Sequence, residues 1–168
     1  LGFGGILGDE MGLGKTLQTI TFLASNEKAL SLIVAPTSLV YNWYKEFKKF
    51  APNIRVGILH SNREERESIL KNRDKYDVLI TTYNLIKRDI DLYKEIEFDY
   101  CILDEAQNIK NPSSQNAKSV KSIKSKNRFA LTGTPIENSL MELWSIFDFI
   151  MPGYLYDEKK FATRYHRR

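Results

Sequence analysis

Several features that define other classes of protein are scarce in this sequence. It contains one cysteine, Cys101, so it cannot form an internal disulfide, and its two histidines stand far apart. A structural zinc site needs more cysteine or histidine ligands at close spacing, and we therefore expect neither a disulfide nor a zinc centre. A lone cysteine within an apolar run is typical of a reducing compartment, which predicts a cytoplasmic protein.

Long hydrophobic runs are missing as well. No stretch approaches the roughly 18 uninterrupted apolar residues of a membrane-spanning helix, and we expect no membrane partner. The chain has 168 residues, of which 42% are hydrophobic, and its net charge of +4 is too small to indicate nucleic-acid binding alone. The length of residues 1–168 favours a single domain, and because the first residue is Leu1 we interpret this domain as part of a longer chain.

Short apolar runs alternate with longer amphipathic stretches along the whole chain. Continuously apolar runs are typical of parallel strands covered on both faces, and alternation with helices predicts an α/β fold in three layers. The central sheet should be mostly parallel, with helices on both faces. We predict strands over 3–7, 31–36, 55–60, 78–82, 100–104 and 128–132, and helices over 15–25, 38–50, 63–72, 113–124 and 140–149.

A glycine-rich stretch between the first predicted strand and helix carries the clearest motif, GDEMGLGKT over residues 8–16. Gly12 and Gly14 allow consecutive N–H groups to point at one anion, and a helix starting near Lys15 adds its positive dipole end. In such a loop the lysine contacts the β- and γ-phosphates of a nucleotide. The hydroxyl of Thr16 ligates Mg²⁺.

Other interpretations of this glycine-rich stretch fit the sequence to different degrees. Asp9 stands where the generic Walker pattern has glycine, so an ordinary glycine-rich turn with a surface lysine stays open on this motif alone. A dinucleotide fingerprint fails because Leu7 and Leu17 occupy the third glycine position, and no N-K-x-D sequence indicates a GTPase. We predict a nucleotide-binding loop made of Asp9, Glu10, Met11, Gly12, Leu13, Gly14, Lys15 and Thr16.

A second candidate element is an apolar strand that ends in two acids, YCILDE over residues 100–105. In a parallel sheet we expect this strand end to lie beside the phosphate loop. Asp104 is then suited to hold Mg²⁺, and Glu105 to orient and deprotonate an attacking water. The alternative is a surface pair of acids that caps the next helix.

Five motifs occur in order: GFGGIL with DEMGLGKT (2–7 and 9–16), VAPTSL with NW (34–39 and 42–43), ITTY (80–83), DEAQ (104–107) and LTGTPIEN (131–138). Together they resemble the first RecA-like lobe of Swi/Snf-type ATPases in helicase superfamily two, including the Asp9 that departs from the Walker pattern. The resemblance spans nearly the whole chain. It implies a RecA-like P-loop fold.

The resemblance also implies a function. It indicates ATP hydrolysis with Mg²⁺, translocation on double-stranded DNA and remodelling of protein–DNA complexes, and therefore a location in a nucleoid or nucleus. A second RecA-like lobe of the same chain would supply an arginine finger and permit full activity. The resemblance assigns catalysis to Glu105, Lys15 and Gln107. Gln107 stands where many relatives have histidine. The residues that would couple the nucleotide state to DNA contact are Thr132, Gly133 and Thr134.

Small polar groups at strand ends are the predicted nucleic-acid contacts, because such groups can reach phosphates: Thr37, Ser38, Thr81, Thr82 and Tyr83. Helix capping is the alternative for them. Trp43 lies on an apolar helical stripe, which predicts a core position rather than a base-stacking role. Basic residues cluster between 106 and 136, and we interpret them as a solvated helix face rather than a DNA-binding surface.

Two other classes of function share some of these features. A P-loop small-molecule kinase would explain the phosphate loop but not the ITTY and LTGTPIEN segments. A non-catalytic DNA-binding module would retain only a decayed nucleotide site. The presence of Lys15, Thr16, Asp104 and Glu105 argues against such decay.

Overall fold

A six-stranded parallel sheet forms the centre of the structure, a computed structural model that describes residues 4–8, 12–26, 28–133, 140–152, 157, 159–160 and 163. The strand order is β1-β6-β5-β2-β4-β3, and every neighbouring pair runs parallel. The strands are β1 (Gly4–Gly8), β2 (Ser31–Ala35), β3 (Val56–Ile58), β4 (Val78–Thr82), β5 (Glu97–Leu103) and β6 (Lys124–Thr132).

Helices connect consecutive strands, as the predicted α/β fold requires. Within the described ranges the α-helices are α1 (Gly12–Ala24), α2 (Val40–Phe50), α3 (Arg63–Lys71), α4 (Tyr83–Asp89), α5 (Gln115–Lys121) and α6 (Leu140–Ile150). Short 3₁₀ turns supplement them, including one at Thr37–Leu39 directly before α2. None of the helices in these ranges is both long and apolar enough to cross a membrane.

Two hydrophobic cores lie on opposite faces of the sheet, and β2 shows why. Leu32 and Val34 pack into one core with residues of α3 to α6, whereas Ile33 and Ala35 pack into the other with α1 and α2. Successive side chains of a strand point to opposite faces, so a strand covered on both sides is apolar throughout. The three-layer architecture is therefore confirmed.

Some predicted boundaries are wrong. The predicted helix over 113–124 ends at Lys121, because Lys124 already belongs to β6, and β5 and β6 both begin earlier than predicted. Their first residues pair with each other, Glu97 with Lys124 and Phe98 with Ser125, and exposed residues alternate there with buried ones in β5 and with half-buried ones in β6. An alternating polar segment of this kind was not recognised by a search for continuously apolar runs.

Helix α4 has no counterpart among the predicted helices. It begins immediately after β4, where the Thr82 hydroxyl accepts a hydrogen bond from the Leu85 N–H at 3.1 Å and caps the helix. The helix spans only seven residues and buries Tyr83 and Ile86. A helix of two turns that starts inside a predicted motif leaves little periodic signal.

The single cysteine is a core residue. Cys101 lies in β5, is fully buried, and has its pKa raised to about 12 by that burial. A thiol in this environment stays protonated and unreactive near neutral pH.

Candidate active site

Lys15 and Thr16 lie at the carboxyl edge of the sheet, which we define as the edge where the parallel strands end. Helix α1 begins at Gly12, three residues earlier than predicted, so both residues belong to its first two turns. The first N–H groups of a helix have no partners within it and attract anions. Lys15 is only 5% exposed, and its carbonyl accepts a hydrogen bond from the Thr19 hydroxyl at 2.8 Å.

The rest of the predicted phosphate loop is described in part. Gly14 is half-buried in the first turn of α1, and the backbones of Gly12 and Leu13 are helical as well. Gly12 and Gly14 therefore belong to the N-terminus of α1. Asp9, Glu10 and Met11 lie outside the described residues.

Asp104 follows the last residue of β5, and two hydrogen bonds hold its carboxylate. The indole Nε1 of Trp43 donates to Oδ2 at 2.8 Å, and the backbone N–H of Glu105 donates to Oδ1 at 2.9 Å. Burial raises the pKa of Asp104, and these two hydrogen bonds oppose that effect. An ionised carboxylate has about four lone-pair sites, so two remain for a cation or water.

Lys15 and Asp104 lie near each other although their strands are not neighbours. Strand β6 lies between β1 and β5, so one strand separates the acidic strand end from the strand that precedes the phosphate loop. Neighbouring strands are about 4.8 Å apart, so β1 and β5 are about 10 Å apart. Burial still raises the pKa of Asp104 overall, and the positive charge of Lys15 is the smallest of the effects that oppose this rise.

Glu105 has an unusual backbone conformation. Its φ of 50° and ψ of 55° lie in the left-handed region, which is unfavourable for a residue with a side chain. Such strain costs about 1–3 kcal/mol and is typical of functional sites. It directs the chain into the 3₁₀ turn Ala106–Ile109, which begins immediately after the two acids.

Gln107 connects the acidic pair with the end of β6. Its Nε2 donates a short hydrogen bond to Oε2 of Glu105, and its Oε1 accepts one from the Thr132 hydroxyl at 3.2 Å. Thr132 pairs in register with Gly8, the last residue of β1. Glu105, Gln107 and Thr132 thus form one chain of hydrogen bonds that ends beside the last residue of β1. Exposed Gly133 follows, and Thr134 lies outside the described residues.

The structure divides the predicted nucleic-acid contacts into two groups, and the first is accessible. Thr37 and Ser38 are exposed at the carboxyl edge, in the turn that precedes α2. Neither the turn nor α2 has a side-chain cap, so Ser38 does not play the capping role considered as the alternative.

The second group, Thr81, Thr82 and Tyr83, is buried. Thr82 caps α4, as the capping alternative anticipated, and the Tyr83 hydroxyl donates to the backbone carbonyl of Asp104 at 2.6 Å. Burial raises the pKa of Tyr83 well above its usual value, so the hydroxyl remains a donor. These side chains support the site from inside rather than facing solvent.

The basic residues between 106 and 136 do not form one surface. Lys121 pairs with Asp148 and Lys126 with Asp99, while Arg128 donates to two backbone carbonyls. Three others are exposed on separate elements: Lys110, Lys118 and Lys124. These pairings agree with the interpretation that the basic run is not a DNA-binding surface.

The donor groups at the carboxyl edge suit magnesium. Mg²⁺ prefers oxygen ligands and is usually held by one or two protein groups together with substrate phosphates and water. The carboxylate of Asp104 retains unused lone pairs, and Thr16 adds a hydroxyl at the first turns of α1. Among the described residues there is no cluster of three or more His, Cys, Asp and Glu side chains, and a magnesium site of this kind needs none.

Sequence reasoning missed the partners of Asp104. Trp43 was correctly predicted to be a core residue, since it is 1% exposed, but its hydrogen bond to Asp104 was not anticipated. A buried tryptophan needs a partner for its N–H, and that need was the available signal. Tyr83 was predicted to face nucleic acid and instead binds the backbone of Asp104.

The parallel sheet, the helix that begins in the glycine-rich motif and the acids at a strand end together match a RecA-like P-loop fold. The SNF2-related domain matches residues 1–168, and the chain belongs to this family.

Curated relatives resemble the chain over almost all of its length. An uncharacterized ATP-dependent helicase of Mycoplasma pneumoniae is 43% identical over 170 residues, covering 98% of this chain and 16% of the relative. The ISWI chromatin-remodeling complex ATPase ISW2 of Saccharomyces cerevisiae is 41% identical, covering 94% of this chain and 15% of the relative. The chain therefore spans about a sixth of the length of these relatives.

Solved structures agree with the fold. The SWI2/SNF2 ATPase core domain of Sulfolobus solfataricus matches with a TM-score of 0.85 and 46% identity, covering 98% of this chain and 34% of the other. The same core in complex with double-stranded DNA matches with a TM-score of 0.83 and 45% identity, over 96% of this chain and 34% of the other. These matches favour the ATPase interpretation and not the kinase alternative.

Proposed function

We propose that this chain is the first RecA-like lobe of an ATPase that translocates on double-stranded DNA and remodels protein–DNA complexes. The observation that carries the proposal is the placement of Lys15, Asp104 and Glu105 at one edge of the sheet. A phosphoryl-transfer site needs a cation for the phosphates, a metal-holding carboxylate and a group that positions water. The three residues supply these functions in turn.

Each residue has a defined task in ATP hydrolysis. Lys15 and the N–H groups at the start of α1 neutralise the β- and γ-phosphates. Asp104 and Thr16 hold Mg²⁺, which when bound offsets the charge that develops on the phosphates. Glu105 orients the attacking water and accepts its proton, and Gln107 fixes the carboxylate of Glu105 in place.

Contact with DNA is proposed at Thr37 and Ser38. Both are exposed at the same edge as the nucleotide site, and their hydroxyls suit phosphate oxygens. The buried residues Thr81, Thr82 and Tyr83 would shape that edge rather than contact DNA by their side chains. Thr132, Gly133 and Thr134 would link the nucleotide to this surface, and a second lobe would complete the motor.

Hydrolysis by the full-length protein tests the proposal. ATP turnover should require Mg²⁺ and rise when duplex DNA is added, and Lys15→Ala should lower both the basal and the stimulated activity by about 10²–10³-fold. Asp99→Ala is a matched control, because Asp99 lies at the opposite edge of the sheet. Phosphorylation of a small acceptor, or ATP turnover indifferent to DNA, would contradict the motor function.

The proposed location follows from the substrate. A protein that moves on duplex DNA must lie in the cytoplasm of a bacterium with its nucleoid, or in a nucleus. The buried, protonated thiol of Cys101 is compatible with a reducing compartment.

A further inference from the structure

The indole group of Trp43 occupies a core position that apolar packing alone does not explain. Trp43 and Phe47 lie on the buried stripe of α2, in the core between α1, α2 and the sheet, with ring centroids 6.2 Å apart. Any large apolar side chain would fill this space. Tryptophan adds an N–H group, which is costly to bury unless it finds an acceptor.

The acceptor is one oxygen of the carboxylate that is expected to hold Mg²⁺. Glu105 holds Oδ1 of Asp104 through its backbone N–H, and Trp43 holds Oδ2 from a different element, α2. The Cβ–Cγ torsion of an aspartate is soft, so a carboxylate held at one oxygen can still turn. A second bond at the other oxygen removes that rotation.

We propose that Trp43 is a positioning residue for the metal site, whose indole N–H fixes the Asp104 carboxylate in the orientation that holds Mg²⁺. The inference rests on the proposed function, since it assumes that Asp104 holds the metal. Groups that orient a metal ligand by hydrogen bonding typically change metal affinity or activity by 10–100-fold when removed. Trp43 is also placed five residues after Ser38, on the helix that follows the proposed DNA contacts.

Packing is the competing explanation, and the chain offers a matched control for it. Phe47 is fully buried in the same core as Trp43, one helical turn further along α2. Phe47→Leu loosens that core at a position that makes no polar contact of its own. Trp43→Phe loosens it as well and also removes the N–H donor.

The test measures metal binding directly in the full-length protein. Mn²⁺, used as the probe in place of Mg²⁺, is titrated in the presence of ADP and followed by electron paramagnetic resonance. Trp43→Phe should raise the Mn²⁺ dissociation constant about tenfold, while ADP binding without metal stays unchanged. Phe47→Leu should leave the Mn²⁺ dissociation constant within about twofold of wild type.

Steady-state kinetics give a second, independent readout. In Trp43→Phe the Mg²⁺ concentration for half-maximal ATP turnover should rise by about the same factor as the Mn²⁺ dissociation constant. In Phe47→Leu it should stay at the wild-type value. Equal shifts in both variants, or a shift in neither, would overturn the proposal.

An isosteric replacement keeps the test decisive if Trp43→Phe does not fold. Benzothienylalanine at position 43 replaces the indole N–H with sulfur and retains the shape of the ring system. It should weaken Mn²⁺ binding as Trp43→Phe does, and wild-type binding would overturn the proposal. A wild-type protein that binds Mn²⁺ with ADP but shows no DNA-stimulated turnover would contradict the proposed function while leaving this test valid.

Discussion

The two edges of the sheet both carry polar groups, but they hold them in different environments. At the carboxyl edge, Lys15, Asp104 and Thr132 are all less than a tenth exposed, and Glu105 has a strained backbone. At the amino edge, where the strands begin, the side chain of Asp99 is 33% exposed and that of its partner Lys126 is 61% exposed.

At the amino edge, side-chain carboxylates accept hydrogen bonds from backbone N–H groups. Oδ2 of Asp99 accepts from the backbone N–H of Leu30, just before β2, at 2.8 Å. Oδ2 of Asp77 accepts from the backbone N–H of Arg55, just before β3, at the same distance. Both carboxylates satisfy main-chain donors at the start of strands, which is a structural task.

This difference between the two edges indicates that the carboxyl edge has features that lower folding stability but serve catalysis. Burying charges and holding a residue at positive φ both reduce stability, and natural proteins retain such features mainly at functional sites. Substitutions at the carboxyl edge should therefore change turnover far more than stability. Substitutions at the amino edge should do the opposite.

The largest expected effect is that of Glu105→Gln. The amide retains the size of the side chain but cannot accept a proton from water, so turnover should fall by up to about 10⁴-fold. ATP should still bind, because the positive groups for the phosphates remain. Nucleotide binding and single-turnover hydrolysis in the full-length protein check this, and normal turnover would rule out Glu105 as the water-positioning base.

Lys15→Ala should have the next largest effect. Loss of one preorganised positive group at a transferring phosphate costs about 10²–10³-fold in turnover, and nucleotide affinity should fall as well. The free energy of unfolding should change little, since a buried charge is removed together with its cost. If Lys15→Ala still bound and hydrolysed ATP normally, the β1–α1 turn would not be part of the active site.

The sequence predicted most of this edge from local patterns. Apolar runs identify strands because both faces of the sheet are covered, and residues 8–16 and 104–107 are recognisable as contiguous motifs. The order of strands in the sheet depends on contacts between residues that are far apart in the sequence. The position of β6 between β1 and β5 could therefore not be predicted from motif spacing. The hydrogen bond between Trp43 and Asp104 joins residues 61 positions apart, so sequence spacing could not predict it either.

Gln107→Ala should have an intermediate effect. It removes the donor to Glu105, and a hydrogen bond to a charged group contributes about 1.5–3 kcal/mol, which corresponds to about ten- to hundredfold in turnover. Thr132→Val removes the bond to Oε1 of Gln107 and should cost about two- to tenfold. Steady-state turnover of both variants measures this order, and a larger loss in Thr132→Val would mean that Thr132 acts other than through Gln107.

Asp99→Ala should have the smallest effect on turnover and a measurable one on stability. It leaves the Leu30 N–H without its acceptor and removes the pair with Lys126, at a cost of about 1 kcal/mol. The unfolding midpoint should fall by about 2–4 °C while turnover stays within about twofold of wild type. Asp99→Asn retains an acceptor for Leu30 and should recover most of the midpoint. If Asp99→Ala instead lowered turnover as much as Gln107→Ala at an unchanged midpoint, the functional contrast between the two edges would be wrong, because the amino edge would then take part in the chemistry.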